Sequence, residues 1–318
     1  MERKIIYLDS CDGKTSLYVR IWEPEGPPRA VLQLAHGMVE FIDRYDRFAR
    51  FLAGQGILVA GNDHLGHGAS VVTKEDWGYF ADRGGNRCLL EDMRSLQDQL
   101  RQSYPDLPHF ILGHSMGSFL VRQFLHTYPQ IKFSGVIILG TGMQPAWLLF
   151  AGHTLARLIG AIKGGRHRSP LLTQMSLGSG NKHFRPNRTP FDFLTRDQAI
   201  VDLYCADERN QFLFTASAFA DMFEGMRTLT RRKNLLGMAT NTPVLLASGS
   251  HDPVGDMGKA APAYGRQLES LGFSHVQVQQ FPEARHELIN EINYQEVDEL
   301  ILSFLDNLIK KEETSHGN

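Results

Sequence analysis

Phe110-Ile111-Leu112-Gly113-His114-Ser115-Met116-Gly117-Ser118-Phe119 sets a serine between two glycines, straight after one apolar run and straight before another. The pattern is G-x-S-x-G. His109 to Leu112 reads as a buried strand and Ser118 to Tyr128 as a helix, so the serine stands on a strand-to-helix turn. Such a turn thrusts the hydroxyl outward. Gly113 and Gly117 leave room where strand and helix approach, and the helix aims N–H groups and its positive end at developing negative charge.

Working outward, strand-like runs at Ser16 to Trp22, Ala30 to Leu34, Ile57 to Ala60 and Val136 to Leu139 alternate with helical ones. A helix is expected from about Tyr45 to Ala53, and Leu89, Met93, Leu96 and Leu100 recur at helical spacing. This alternation predicts an α/β fold with a mostly parallel, doubly wound sheet. From Thr141 to about Gly225 it breaks. That stretch predicts a helix around Trp147 to Ile159, a basic loop from Lys163 to Pro170, and helices over Phe191 to Cys205 and Phe212 to Met226. The alternation resumes with strands at Val244 to Ala247 and Val276 to Phe281, and helices at Lys259 to Leu271 and Val297 to Ile309. The polar tail from Lys310 is expected to fray. The expected organisation is one core, residues 1–140 and 226–318, interrupted by a helical insertion at 141–225.

A serine hydroxyl at neutral pH needs a base, and the base needs an orienting acid. In this type of sheet they follow in the order Ser, Asp or Glu, His. Asp252, in Ser248-Gly249-Ser250-His251-Asp252-Pro253, comes where a strand end presents it to the site. His286, in Pro282-Glu283-Ala284-Arg285-His286-Glu287, occupies the next such loop. His251, His275 and Asp256 are less well placed. The oxyanion donors are expected to be the backbone N–H of Met116, just after the serine, and that of Met38, in the loop after the strand ending at Leu34. His36 is expected to brace that loop. Asp63-His64-Leu65-Gly66-His67-Gly68-Ala69-Ser70 reads as a glycine-rich turn rather than a zinc site. The chemistry calls for no cofactor and no metal.

Composition bounds the function. The chain has 318 residues, 42% hydrophobic and 21% charged, with a net charge of -2, and lacks the basic footprint of nucleic-acid binding. Three widely spaced cysteines, Cys11, Cys88 and Cys205, suit reduced thiols in a cytoplasm. The N-terminal apolar run is too short for a signal peptide, and the apolar stretch from Gly135 to Phe150 is interrupted by glycines and Pro145, against a membrane span.

Taken together, His36-Gly37-Met38-Val39-Glu40, Arg44-Tyr45, the Asp63 to Ser70 turn, the serine turn, Asp252-Pro253-Val254-Gly255 and Arg285-His286-Glu287-Leu288-Ile289-Asn290-Glu291 resemble one family over nearly the whole chain. It is the monoacylglycerol lipase, lysophospholipase and serine aminopeptidase-like group of α/β-hydrolases. Arg188 to Asp197 is similar to cap sequence in bacterial members. The resemblance implies Ser115, Asp252 and His286 as the triad, Met38 and Met116 as oxyanion amides, and a helical cap over the site. The sequence departs from the family at Phe41, where members often carry His, and at Leu65; Phe41 is expected to alter the pocket wall.

The expected chemistry is hydrolysis of a small, lipid-like carboxylic ester through an acyl-enzyme. Trp147, Leu148, Leu149, Phe150, Phe212, Phe214, Phe219 and Phe223 are the candidates for an acyl site, about half of them packing the cap itself. A serine aminopeptidase is the rival enzyme, with Glu224, Asp221 or Glu40 as acidic groups for a free amine; a non-catalytic binding protein is the other reading. Membrane contact is expected to be at most transient, through the cap. The sequence leaves the oligomeric state open.

Overall fold

Strands covered on both faces read as unbroken apolar runs, and that is how the middle of this sheet is made. The structure, a computed structural model, describes residues 2–176 and 180–316. Among them, one sheet of eight strands is formed by β1 (Glu2–Asp9), β2 (Ser16–Glu23), β3 (Ala30–Ala35), β4 (Ile57–Asn62), β5 (His109–His114), β6 (Gly135–Leu139), β7 (Val244–Gly249) and β8 (Val276–Phe281). Every residue of β3 to β7 is buried. The order is β1-β2-β4-β3-β5-β6-β7-β8; β2 runs antiparallel to β1 and β4, and the other neighbours are parallel.

The helices are α1 (Asp46–Gly54), α2 (Gly85–Ser103), α3 (Met116–Thr127), α4 (Ala146–Lys163), α5 (Pro170–Ser176), α6 (Gln198–Ala206), α7 (Ala216–Thr228), α8 (Arg232–Leu235), α9 (Ala260–Ser270) and α10 (Tyr294–His316). Alternate strand residues feed two cores. Phe110, Leu112, Ile137, Leu139 and Leu245 pack with Phe48 and Leu52 of α1 and Val297, Ile301 and Leu305 of α10. Ile111, Val136, Ile138 and Leu246 pack on the opposite face with Met93 of α2, Val121 and Phe124 of α3, and Leu268 of α9.

The chain runs from β3 outward to β4, then returns to the other side of β3 at β5. The loops after β3 and β5 therefore leave the sheet side by side at the point where the order reverses, where such sheets bind ligands. Between β6 and β7 lie α4 to α8 and, among the described residues, no sheet strand.

One strand was not anticipated and three expectations are corrected. β1 is a strand, although its residues at the sheet edge are largely exposed, with Tyr7 at 62%, so no clear inside and outside is written into it. Helix α6 starts only at Gln198; residues 191–197 form turns held by distant partners. Residues 212–215 are extended, pairing at Arg168 and Thr215, before α7 begins at Ala216. Helix α10 continues through the polar stretch expected to fray, whose lysines and glutamates are good helix formers.

Candidate active site

Ser115 has φ 52° and ψ -117°, a strained conformation for a residue with a side chain. Its neighbours explain the glycines. A Cβ on Gly117 would lie 2.0 Å from the Ala35 carbonyl oxygen, and one on Gly113 would lie 2.4 Å from the Gly117 carbonyl oxygen. Backbone stands in the way in both cases, so strand and helix approach this closely only without side chains. Ser118 fastens the turn from within the helix: its hydroxyl donates to Ser115 O at 2.6 Å.

The three candidate side chains, far apart in sequence, meet at one rim of the sheet. His286 Nε2 lies 2.8 Å from Ser115 Oγ, and His286 Nδ1 lies 2.9 Å from Asp252 Oδ1. Asp252 is fully buried and also accepts the Val254 N–H at 2.9 Å. Burial acts against a charged His286, but the charge of Asp252 and its hydrogen bond outweigh it, so the imidazole sits above the ordinary histidine range. Of the rivals, His251 is exposed beside the loop and His275 precedes β8 at the far end of the sheet.

Met38 and Met116 line the cavity with Ser115 and His286. Val39, next to Met38, has φ 56°, which bends the loop after β3. Among the described residues the N–H groups of Met38 and Met116 donate to no protein acceptor. Two backbone donors are therefore unused at residues that line the cavity with Ser115, as an oxyanion site would require.

A buried polar cluster underlies this loop. Glu40 accepts from the Gly37 N–H, from Tyr45 OH at 2.9 Å and from Arg44 Nη1 at 2.7 Å, and lies 3.1 Å from His114 Nδ1. Burial opposes the Glu40 charge, yet the His114 hydrogen bond and Arg44 hold its carboxyl below the ordinary range. Arg44 also forks onto Glu287, adjacent to His286, with both bonds at 2.7 Å. Tyr204 of α6 closes the ring, its hydroxyl donating to Val39 O at 2.8 Å and its face lying 4.8 Å from the Arg44 guanidinium.

The turn that sequence patterning misread as helix is stitched to the same place. Phe193 O and Leu194 O accept from the backbone N–H groups of His286 and Glu287 at 3.3 and 2.7 Å. Thr195 Oγ1 donates to Asn290 O at 2.8 Å, and Arg196 Nε donates to the buried Glu291 at 2.9 Å. Arg44, Glu287 and Glu291 entered the sequence reading only through resemblance, and no local signal marks their partners.

The cavity over Ser115 has a volume of about 320 Å³. Of the aromatic and aliphatic residues expected there, Leu148, Leu149 and Phe223 line it. Phe212, Phe214 and Phe219 are buried in the larger core instead, while Trp147 and Phe150 face solvent. Phe191, Phe193, Tyr204 and Met222 line it too and were not anticipated. Phe41 is not in the wall; it packs under the Arg209 guanidinium at 3.7 Å. His36 braces its loop as expected: Nδ1 donates to Gly37 O and Nε2 accepts the His64 N–H, both at 2.8 Å. Asp63 ties the following turn by accepting from Ile42 N and Ala69 N, each at 2.7 Å.

This sheet order, the serine turn at its reversal point and the helices inserted after β6 make the fold that of an α/β-hydrolase. More particularly, the Hydrolase_4 family, described as serine aminopeptidase S33, matches residues 26–293, and the chain belongs to it. The chain is 28% identical over 299 residues to a monoglyceride lipase of Mus musculus, covering 90% of this chain and 88% of that protein. To a monoacylglycerol lipase of Mycolicibacterium smegmatis it is 26% identical, covering 88% and 89%. Among solved structures, a highly thermostable carboxyl esterase from Bacillus coagulans in complex with glycerol superposes with a TM-score of 0.90 at 27% identity, covering 97% of this chain and 99% of that one.

Proposed function

We propose that the protein is a serine carboxylic-ester hydrolase acting on monoacylglycerol-type or lysophospholipid-type esters. Ser115 attacks the ester carbonyl while His286 takes its proton. Asp252 orients the imidazole and stabilises its charged form, and the Met38 and Met116 amides hold the oxyanion. His286 then protonates the departing alcohol, and water releases the acid from the acyl-enzyme by the same route. Residues 141–225 serve as the cap, with α7 running on to Thr228.

One observation carries this reading: the linked Ser115–His286–Asp252 chain opens into a cavity whose described lining contains no Asp, Glu, Lys or Arg. A free amine would find no counter-charge there. Glu40 is bound by Arg44, Asp221 faces the amides of Gly85 and Asn86, and Glu224 is 64% exposed beside His153. An apolar chain fits such a lining, and the lipases and the esterase named above support the ester class.

No helix among the described residues is long and apolar enough to cross a membrane. The outer face of α4 nevertheless exposes Trp147 at 70%, Leu158 at 55% and Ile162 at 73%. This favours transient contact between the cap and lipid aggregates. The free cysteines suit a reducing, cytoplasmic setting.

The test is a substrate panel of monoacylglycerols, lysophospholipids, p-nitrophenyl esters of increasing chain length and aminoacyl anilides. Turnover of chain-bearing esters, lost in Ser115→Ala, is expected. Preference for aminoacyl anilides would favour the peptidase, and no turnover with no labelling at Ser115 would favour a binding protein.

A further inference from the structure

Arg122, midway along α3, is 4% exposed. Its Nη1 donates to Thr141 Oγ1 at 3.0 Å and to Gly142 O at 2.9 Å, and the guanidinium lies 4.0 Å from the Tyr264 ring centroid. These partners are all neutral. Among the described residues no carboxylate pairs with Arg122, and its buried Nε has no hydrogen-bond partner. Burial draws the group below its ordinary pKa, yet a guanidinium does not give up its proton in a protein. Buried charges are normally paired, so a counter-ion is expected from outside the chain.

The room for it is present. Arg122, Gly142, Gln144, Thr230 and Gln267 line a cavity of about 200 Å³. Thr230 and Met143 at its margin are exposed. The buried oxygens Gln144 Oε1 and Gln267 Oε1 also lack partners, so either amide can turn its NH₂ toward an anion without breaking a bond at that oxygen.

We propose that this cavity is an oxyanion site, taking a phosphate or carboxylate group on the planar fork of Arg122 with the amides of Gln144 and Gln267 beside it. It adjoins the ester site, since Phe119, Gln144, Leu149 and Met226 wall both cavities, but Arg122 and Gln267 line only this one. A short polar chain also joins them: Thr141 Oγ1 lies 2.8 Å from Ser118 Oγ, which donates to Ser115 O.

Calorimetric titration of the full chain with inorganic phosphate, acetate and glycerol 3-phosphate, at ionic strength held constant with sodium chloride, tests this. Saturable binding of at least one probe is expected. Acetate binding would identify a carboxylate ligand, phosphate binding alone a free ion, and tighter binding of glycerol 3-phosphate a lipid headgroup. Arg122→Met should weaken binding at least about tenfold. Thr230→Trp, at an exposed position that leaves the guanidinium in place, should do the same by filling the cavity and guards against a folding defect in the first variant. No binding by any probe, or equal binding in both variants and the parent, overturns the proposal.

Discussion

Arg44 and Glu287 stand 243 residues apart and grip each other through two hydrogen bonds of 2.7 Å. The pair ties the loop that carries Met38 to the loop that carries His286. With Glu40 on the other side of Arg44, one cation compensates two buried carboxylates.

Removing that cation leaves both carboxylates buried without the guanidinium, Glu40 keeping His114, Tyr45 and the Gly37 amide and Glu287 keeping the Asn290 amide. Arg44→Met should lower unfolding stability by about 3–5 kcal/mol, read from urea titration. A loss under about 1 kcal/mol would mean that the pair behaves like an exposed one.

The pH profile reports His286. Its folded pKa lies above the ordinary value because Asp252 outweighs burial. The acid limb of kcat/KM, where His286 loses its proton, should therefore fall above about 6.5. In Asp252→Asn the main opposition to burial is gone and only the charges of Glu287 and Glu40 remain against it, so the limb should move to lower pH while kcat falls by on the order of 10⁴. An unmoved limb would assign it to another group.

Acid stability should depend on His67. Its ring is buried between Phe80, Phe212 and Phe214, Nε2 has no partner, and burial lowers its pKa to about 3. A depressed histidine contributes stability that is present above its unfolded value and lost as pH falls toward the folded one. The thermal midpoint should therefore drop between about pH 6.5 and 4. His67→Phe should show a shallower drop over that window. Asp63, raised by burial to about 7, acts in the opposite sense and the buried His36 and His64 in the same sense; all three remain in both proteins, so the difference reports His67 together with its charge coupling to its histidine neighbours.

Chain-length preference should answer to Gly152. A Cβ there would lie 3.1 to 3.2 Å from the Phe223 ring, and both residues line the cavity. Gly152→Leu should press into this apolar wall and lower kcat/KM for a long-chain p-nitrophenyl ester at least about tenfold, leaving the acetyl ester within about twofold. Equal losses on both would place the acyl chain elsewhere.

The site was more legible in the sequence than the cap. Ser115 and Asp252 each follow a buried apolar run, while His286 follows β8, a largely exposed strand of alternating valine and glutamine, and a strand followed by a turn is a local signal; β3, β5, β7 and β8 all lie within two residues of their expected ends. Residues 191–197 carry apolar side chains like a helix, but their main chain is bonded to the His286 loop, about 90 residues away. The extended stretch 212–215 answers to Arg168 and Gly78 in the same way. Patterning also ranks Phe212 and Phe223 alike, although one is buried beside His67 and the other lines the cavity. Such choices are made by long-range packing, which no window of sequence contains.

The most direct test of the central claim is mass spectrometry after reaction with a fluorophosphonate, paired with ester turnover. One adduct per chain, on the peptide containing Ser115, with both adduct and turnover lost in Ser115→Ala, is the predicted result. A Ser115→Ala protein that still hydrolyses esters, or a parent protein that turns them over while its label falls on another residue, would contradict it.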